Sequence, residues 1–193
     1  MQRVDQVERV MRHPIVGVMG SHTNAHADRS EQLGEWLARQ GYHLLTGGGN
    51  GVMRAVTQAF VKVPERLGLA LAVVPAVTGN LRSVPQPGYP NPWVEVPIYT
   101  HLDQGGPVGD EPTSRNHLNV LTSTVVILLP GGLGTVSEAR LALRYERPCV
   151  AFLRTDDELP GIPDNIPVES DFSRVADFVT RYAKTTLTRS FTP

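Results

Sequence analysis

Residues 124–135, TVVILLPGGLGT, carry the pattern that decides the fold of this 193-residue chain. The first six residues are an unbroken run of β-branched and leucine side chains, as in a strand that other elements cover on both faces. A glycine-rich turn follows, and residues 136–145 then have the apolar spacing of a helix. Because a strand, a tight turn and a helix make half of a βαβ unit, this stretch predicts a parallel α/β sheet.

Further short apolar runs predict the other strands, and the first two are also followed by glycine and a helical stripe. The predicted strands are 15–19, 43–46, 69–74, 93–100 and 149–153. Additional helices are predicted to start near Thr113 or Ser114 and to cover 172–182. Segments rich in proline and glycine, at 75–92, 103–112 and 155–167, are predicted to be surface loops. Together these elements predict one domain over 1–193, a doubly wound Rossmann-like parallel sheet with helices on both faces.

The composition excludes several classes of protein. With 18 basic and 19 acidic residues, the net charge of −1 gives no field that would attract nucleic acid or an anionic membrane. Its one cysteine, Cys149, cannot form an internal disulfide and is expected to be an inert buried thiol. Residues 1–12 lack the apolar centre of a signal peptide, and no apolar run approaches the length of a membrane span. We therefore expect a cytoplasmic protein without nucleic-acid or membrane partners.

Three strand ends carry glycine or small residues, at 20–21, 47–51 and 131–135. Ligands of open parallel sheets bind outside the carboxyl ends of the strands, so the three ends should face one crevice. Glycine lets the backbone approach a ligand, and the first N–H groups of the following helix attract anions. We expect a phosphate there, although the glycines could serve only as tight turns. The candidate binding residues are Gly20, Ser21, Gly47, Gly48, Gly49, Asn50, Pro130, Gly131, Gly132, Gly134 and Thr135.

Two common phosphate-binding chemistries lack their motifs. Neither Gly49 nor Gly134 is followed three positions later by the glycine or alanine of a dinucleotide fingerprint. The lysines, Lys62 and Lys184, do not lie beside a glycine loop, as kinase-like or ATPase-like chemistry requires. Dehydrogenases and phosphoryl-transfer enzymes are therefore disfavoured.

The run PGGLGTVSE, residues 130–138, resembles the PGGxGTxxE signature of the Lonely Guy proteins, often mislabelled lysine decarboxylases. Those proteins are nucleoside 5′-monophosphate phosphoribohydrolases, which release a free base and ribose 5-phosphate. The run GGGNGVM, residues 47–53, is similar to that family's other loop and adds Met53 as a candidate ligand contact. Members have a catalytic arginine fifteen residues before the proline, which is Arg115 here. The similarity extends from Gly17 to about Phe152.

The resemblance implies a role for two residues in catalysis. Glu138 would bind ribose hydroxyls or activate water, and Arg115 would orient the anionic part of the ligand. Alternatively, the two form a structural ion pair near the sheet edge. Hydrolysis would require no cofactor, but a departing base needs a proton, and Asp110 and Glu111 are the candidate general acids only because they precede Arg115.

The sequence departs from the hydrolases around the arginine. It has Thr113-Ser114-Arg115-Asn116 where they have His-x-Arg-Lys. The pair Arg115-Asn116, with Ser137-Glu138-Ala139 later in the chain, more closely resembles the branch that includes molybdenum cofactor carrier proteins. Two hypotheses follow from the resemblance. The first is a phosphoribohydrolase acting on a small-molecule nucleotide. The alternative is a non-catalytic carrier of molybdenum cofactor or a related pterin phosphate, with Asn116 among the ligand contacts. Lysine decarboxylation is excluded because no lysine is suitably positioned.

Several other residues have more than one interpretation. His22 and His26 are spaced for one helix face, but they follow a strand end, so no metal site is predicted. Trp93 and Tyr99 could form a wall for a base, or could be core residues. The apolar stripe of the helix at 136–145 could be core, and the resemblance implies that this helix also lines a homodimer or higher homo-oligomer interface. Its members are Val136, Leu141, Leu143 and Tyr145.

Overall fold

The computed structural model describes residues 13–77 and 84–189. Within them, seven strands and five α-helices alternate along most of the chain. They are β1 (Ile15–Met19), α1 (Ala27–Arg39), β2 (His43–Thr46), α2 (Val52–Val61), β3 (Ala70–Val74), β4 (Val96–Tyr99), α3 (Asn116–Thr122), β5 (Val125–Leu128), α4 (Leu133–Arg144), β6 (Cys149–Phe152), β7 (Val168–Glu169) and α5 (Phe172–Arg189). None of the described helices has the length and apolar character needed to cross a membrane.

The seven strands form one parallel sheet in the order β4-β3-β2-β1-β5-β6-β7. From β1 the chain adds strands on one side as far as β4, then returns to pair β5 with the other side of β1. Loops after β1 and β5 consequently leave the sheet in opposite directions and open a crevice at their carboxyl ends. The predicted α/β, Rossmann-like fold is confirmed.

Side chains alternate between the two faces of the sheet and fill two cores. In β5, Val125 and Ile127 pack under α1, α2 and α5, whereas Val126 and Leu128 pack under α3 and α4. All four are fully buried. Since full burial of such a side chain contributes about 1.5–3 kcal/mol, the unbroken apolar run is explained by helices on both faces.

The strand boundaries differ from expectation at the sheet edges. The strand predicted at 93–100 is confined to Val96–Tyr99, an edge strand with half-exposed apolar side chains and a proline that donates no hydrogen bond. The strand Val168–Glu169 was not predicted because two residues show no periodicity. Its pairing with β6 is a long-range contact that local sequence does not encode.

Helix boundaries also shift. The helix predicted from position 113 or 114 begins at Asn116, because the Ser114 hydroxyl accepts a hydrogen bond from the Asn116 N–H at 3.1 Å and holds a turn there. The helix predicted from 136 begins at Leu133 and takes up part of the glycine turn. The last helix extends beyond residue 182 to Arg189. The loop predicted at 103–112 contains a short 3₁₀ helix at Gly106–Val108.

Candidate functional site

A cleft of about 560 Å³ opens at the carboxyl ends of β1, β2 and β5, a volume suited to a small molecule. Ten of the expected residues line it: Gly20, Ser21, Gly47, Met53, Arg115, Asn116, Gly132, Gly134, Thr135 and Glu138. Five others lie in the same loops but not on its surface: Gly48, Gly49, Asn50, Pro130 and Gly131. Seven lining residues were not expected: Met19, His22, Thr23, Gln86, Pro87, Tyr89 and Gly106.

The first turn of α4 forms one end of the cleft. Within the described residues, the backbone N–H groups of residues 132–135 have no hydrogen-bond partner, as the geometry of a helix start requires. Gly132 caps the helix in an extended conformation, and Thr135 is buried in the first turn. Unpaired N–H groups and the positive end of the helix dipole make this end suitable for an anion.

Glu138 lies one turn further along α4 and is 8% exposed. Its Oε1 accepts a hydrogen bond from Asn119 Nδ2 at 3.1 Å. Burial raises the pKa of the Glu138 carboxyl to about 7, although the charge of Arg115 and the Asn119 hydrogen bond act in the opposite direction. Burial therefore makes this carboxyl easier to protonate near neutral pH than an exposed glutamate.

Arg115 is held beneath the cleft by backbone carbonyls. Its Nη1 donates to Gly47 O at 2.8 Å and to Val73 O at 2.7 Å. A Cβ on Gly47 would stand 2.5 Å from that same Nη1, so a larger residue at this position would displace the guanidinium. Burial lowers the pKa of Arg115, but arginine remains charged in proteins. No direct ion pair joins Arg115 to Glu138 in the described structure, which disagrees with the ion-pair alternative.

Asn116 connects α3 to the start of α4. Its Nδ2 donates to Ser137 Oγ at 3.1 Å, and Ser137 Oγ donates to Gly134 O at 2.7 Å. Asn116 is 4% exposed and reaches the cleft surface. The residue that departs from the hydrolase pattern is therefore part of the scaffold of the anion end.

The proline-rich segment 84–94 forms the opposite wall. Asn91 attaches it to the β2 loop, with its N–H donating to Gly48 O at 2.7 Å and its Nδ2 donating to Gly49 O at 3.0 Å. Tyr89 is thereby brought to the cleft, where its hydroxyl lies 3.2 Å from His22 Nδ1. The two rings are stacked with centroids 5.8 Å apart and 21° between planes. An aromatic residue inside a loop was the one sequence signal that could have pointed to this wall.

Other candidates lie elsewhere. Tyr99 is 52% exposed on the edge strand, and Trp93 packs near Lys62, so neither lines the cleft as the expected wall. Asp110 and Glu111, the proposed general acids, do not line it either. Cys149 is buried, as expected, and burial raises the pKa of its thiol.

The two histidines do not share a helix. His26 caps α1, whereas His22 lies in the loop before it. Among the described residues no cluster of three or more metal-ligating side chains occurs. On α4, Val136 and Leu141 are core, whereas Leu143 is 38% exposed. The homo-oligomer interface stays a prediction.

A model of the SLOG cluster4 family matches residues 13–173 of this chain. The chain belongs to the SLOG cluster4 family. Solved structures similar to this chain include proteins described by what they bind. The molybdenum cofactor binding protein of Rippkaea orientalis is 30% identical, with 89% of this chain and 98% of that chain covered and a TM-score of 0.64. The molybdenum cofactor carrier protein of Chlamydomonas reinhardtii is 25% identical, with 90% of this chain and 99% of that chain covered and a TM-score of 0.67.

A more distant structure shares only the fold. The DNA processing protein A of Helicobacter pylori, described with a single-stranded DNA binding mode, is 18% identical over 91% of this chain and 80% of its own, with a TM-score of 0.52. No curated protein sequence matches the chain. The family match and the carrier-protein structures confirm the predicted relationship to the PGGxGTxxE family and its carrier-like branch.

Proposed function

We propose that this chain is a carrier that binds molybdenum cofactor, or a related phosphorylated pterin, in the cleft between β1, β2 and β5. The observation that carries the proposal is the 30% identity to a molybdenum cofactor binding protein, of which 98% is covered. This favours the carrier, which the sequence offered as the alternative, over the phosphoribohydrolase.

The residues of the cleft suit such a ligand. Four unpaired N–H groups at 132–135 and the Thr135 hydroxyl can hold a terminal phosphate, each charge–dipole contact contributing about 0.3–1 kcal/mol. A proton on Glu138 removes the negative charge that would otherwise oppose an anionic ligand. Arg115 supplies a positive charge to the lining of the cleft, and this charge is fixed in place because its Nη1 donates to two carbonyl oxygens.

One observation supports the hydrolase as a second candidate. Glu138 lines the cleft with a pKa of about 7, which is the range of an effective acid–base catalyst at neutral pH. If hydrolysis occurs, Glu138→Gln should reduce base release by about 10²-fold or more while phosphate binding persists. Asn116→Lys, which restores the residue of the hydrolases, should then raise the rate of base release.

The deciding experiment is purification from a host that synthesises molybdenum cofactor. We expect molybdenum, measured by mass spectrometry, and pterin, measured by fluorescence after oxidation, to co-purify in equal amounts. The same preparation, incubated with a panel of nucleoside monophosphates, should release no free base. Protein from a host strain that cannot make the cofactor is the control and should carry neither component.

Two results would contradict the carrier proposal. One is protein that holds neither molybdenum nor pterin even after incubation with the cofactor. The other is base release from a nucleoside monophosphate that Glu138→Gln abolishes, which would return the hydrolase to first rank.

A further inference from the structure

The two ends of the cleft differ in chemistry. On the β5 side the lining includes the start of α4, with its unpaired N–H groups and Thr135, together with Asn116 and Glu138. On the β2 and β3 side, Tyr89, Pro87 and Met53 add an aromatic ring and apolar groups to a lining that also includes the polar residues His22, Gln86 and Arg115. A phosphate accounts for the first end only, because an aromatic wall contributes little to binding an inorganic anion.

Tyr89 is fixed before any ligand arrives. The Asn91 side chain and main chain join its segment to Gly48 and Gly49, and His22 Nδ1 lies 3.2 Å from its hydroxyl. The guanidinium carbon of Arg115 lies 5.6 Å from the centre of its ring, within the range of a cation–π contact. A tyrosine restrained by three neighbours gives rigid contact area, so a ligand that packs on it loses little conformational entropy of the protein.

The spacing of the two ends fits a molecule with a phosphate and a ring. Strands β2 and β5 flank β1 on opposite sides, and neighbouring strands lie about 4.8 Å apart. The β2 loop, to which Asn91 attaches the segment that carries Tyr89, is thus separated from the loop after β5 by roughly 10 Å across the sheet. A fused two-ring heterocycle joined to a phosphate by a short carbon chain spans a distance of this order.

We propose that the Tyr89–His22 pair, with Met53 beside it, is the binding site for the planar fused ring of a ligand whose phosphate binds the start of α4. The inference rests on the proposed function and identifies the part of the protein that distinguishes a phosphorylated pterin from a small phosphate ester. Tyr89 is a specificity determinant in this arrangement. Phosphate affinity comes from residues 132–135, and selectivity for a ring comes from the segment 84–94.

The test compares two probes by isothermal titration calorimetry: neopterin monophosphate, which has a ring, and glycerol 3-phosphate, which has none. We expect Tyr89→Leu to weaken neopterin monophosphate about tenfold or more, since stacking of a base on an aromatic residue is typically of that strength. Affinity for glycerol 3-phosphate should change less than twofold, which also reports that the cleft is still folded. Tyr89→Phe keeps the ring and should stay within about threefold of the wild type for both probes.

Tyr99→Leu is the matched control, because this tyrosine is exposed on β4 and does not line the cleft. The inference is overturned if Tyr89→Leu affects both probes equally or neither, or if the wild type binds neopterin monophosphate no better than glycerol 3-phosphate. Failure of the proposed function has a different signature. The protein could retain no molybdenum and still show the Tyr89-dependent preference for neopterin monophosphate. That result contradicts the carrier proposal but supports the ring-binding site.

Discussion

Glu138 is a residue of α4 whose buried position makes the charge of its carboxyl depend on pH near neutrality. Because the folded protein raises its pKa to about 7, the folded state binds a proton more tightly than the unfolded chain does. Its contribution to stability is therefore fully present below the ordinary pKa of glutamate and is lost as the pH rises through about 7.

Glu138→Gln should abolish this pH dependence. From pH 4.5 to 8 the free energy of unfolding of the wild type should fall relative to that of the variant by about 3 kcal/mol at most, as one pKa unit corresponds to 1.36 kcal/mol. Urea unfolding at several pH values measures the difference. The control is Glu31→Gln, an exposed carboxylate on α1. A difference between wild type and Glu138→Gln that is constant with pH would contradict the raised pKa.

At Gly134, the need for a glycine comes from the space in the cleft beside it and not from its backbone conformation. It lies inside the first turn of α4 and has no positive φ, so its backbone angles do not require glycine. An added Cβ would stand 3.3 Å from Gly106 Cα, a tight contact that a small shift relieves. The requirement for glycine therefore comes from the cleft surface that this residue forms.

Gly134→Val should consequently reduce binding more than stability. We expect the affinity for glycerol 3-phosphate to fall about tenfold or more, because the two methyl groups enter the space beside the free N–H groups. Gly134→Ala is the graded control and should keep most of the affinity, with a helix propensity gain of about 0.5–1 kcal/mol opposing any strain. Calorimetry and thermal unfolding separate the two effects. Equal affinity of wild type and Gly134→Val would mean that the phosphate does not bind there.

At the scale of elements, the cleft depends on a loop rather than on a helix or a strand. The segment 84–94 has no regular backbone ladder and is attached by Asn91, which is 3% exposed. Its Nδ2 donates to Gly49 O, and its Oδ1 accepts from the Trp93 N–H at 3.1 Å. Removing this side chain leaves the buried Gly49 carbonyl and the partly buried Trp93 N–H without these partners.

Asn91→Ala should cost about 1–3 kcal/mol of unfolding free energy, the usual penalty for leaving a buried polar group unpaired. Because the segment carries Tyr89, we also expect weaker binding of neopterin monophosphate with little change for glycerol 3-phosphate. Asn165→Ala is the control, since this asparagine is exposed. Unchanged stability together with unchanged neopterin monophosphate affinity would show that Asn91 does not hold the wall.

At the scale of the whole molecule, the reversal of strand order at β1 brings the cleft together. Gly20 and Ser21 follow β1, Gly47 follows β2, and Gly132 to Thr135 follow β5, so three loops distant in sequence meet at one edge of the sheet. Arg115 reaches the same cleft because it caps the start of α3, the helix that connects β4 to β5 on the other face of the sheet. The chain order of elements thus determines which side chains can bind one ligand.

The sequence by itself determined the parallel α/β architecture and the glycine turn that leaves free N–H groups at the start of α4. Apolar residues that recur every two or 3.6 positions, or in an unbroken run, reflect burial, and this pattern can be read from the local sequence. A glycine turn before a helix likewise leaves free N–H groups wherever it occurs. Only the tertiary structure decided the aromatic wall, the carbonyl partners of Arg115 and the strand β7. Those contacts join residues far apart in the chain, such as Tyr89 with His22 and Arg115 with Val73, and a long-range pairing leaves no periodic signal in either segment.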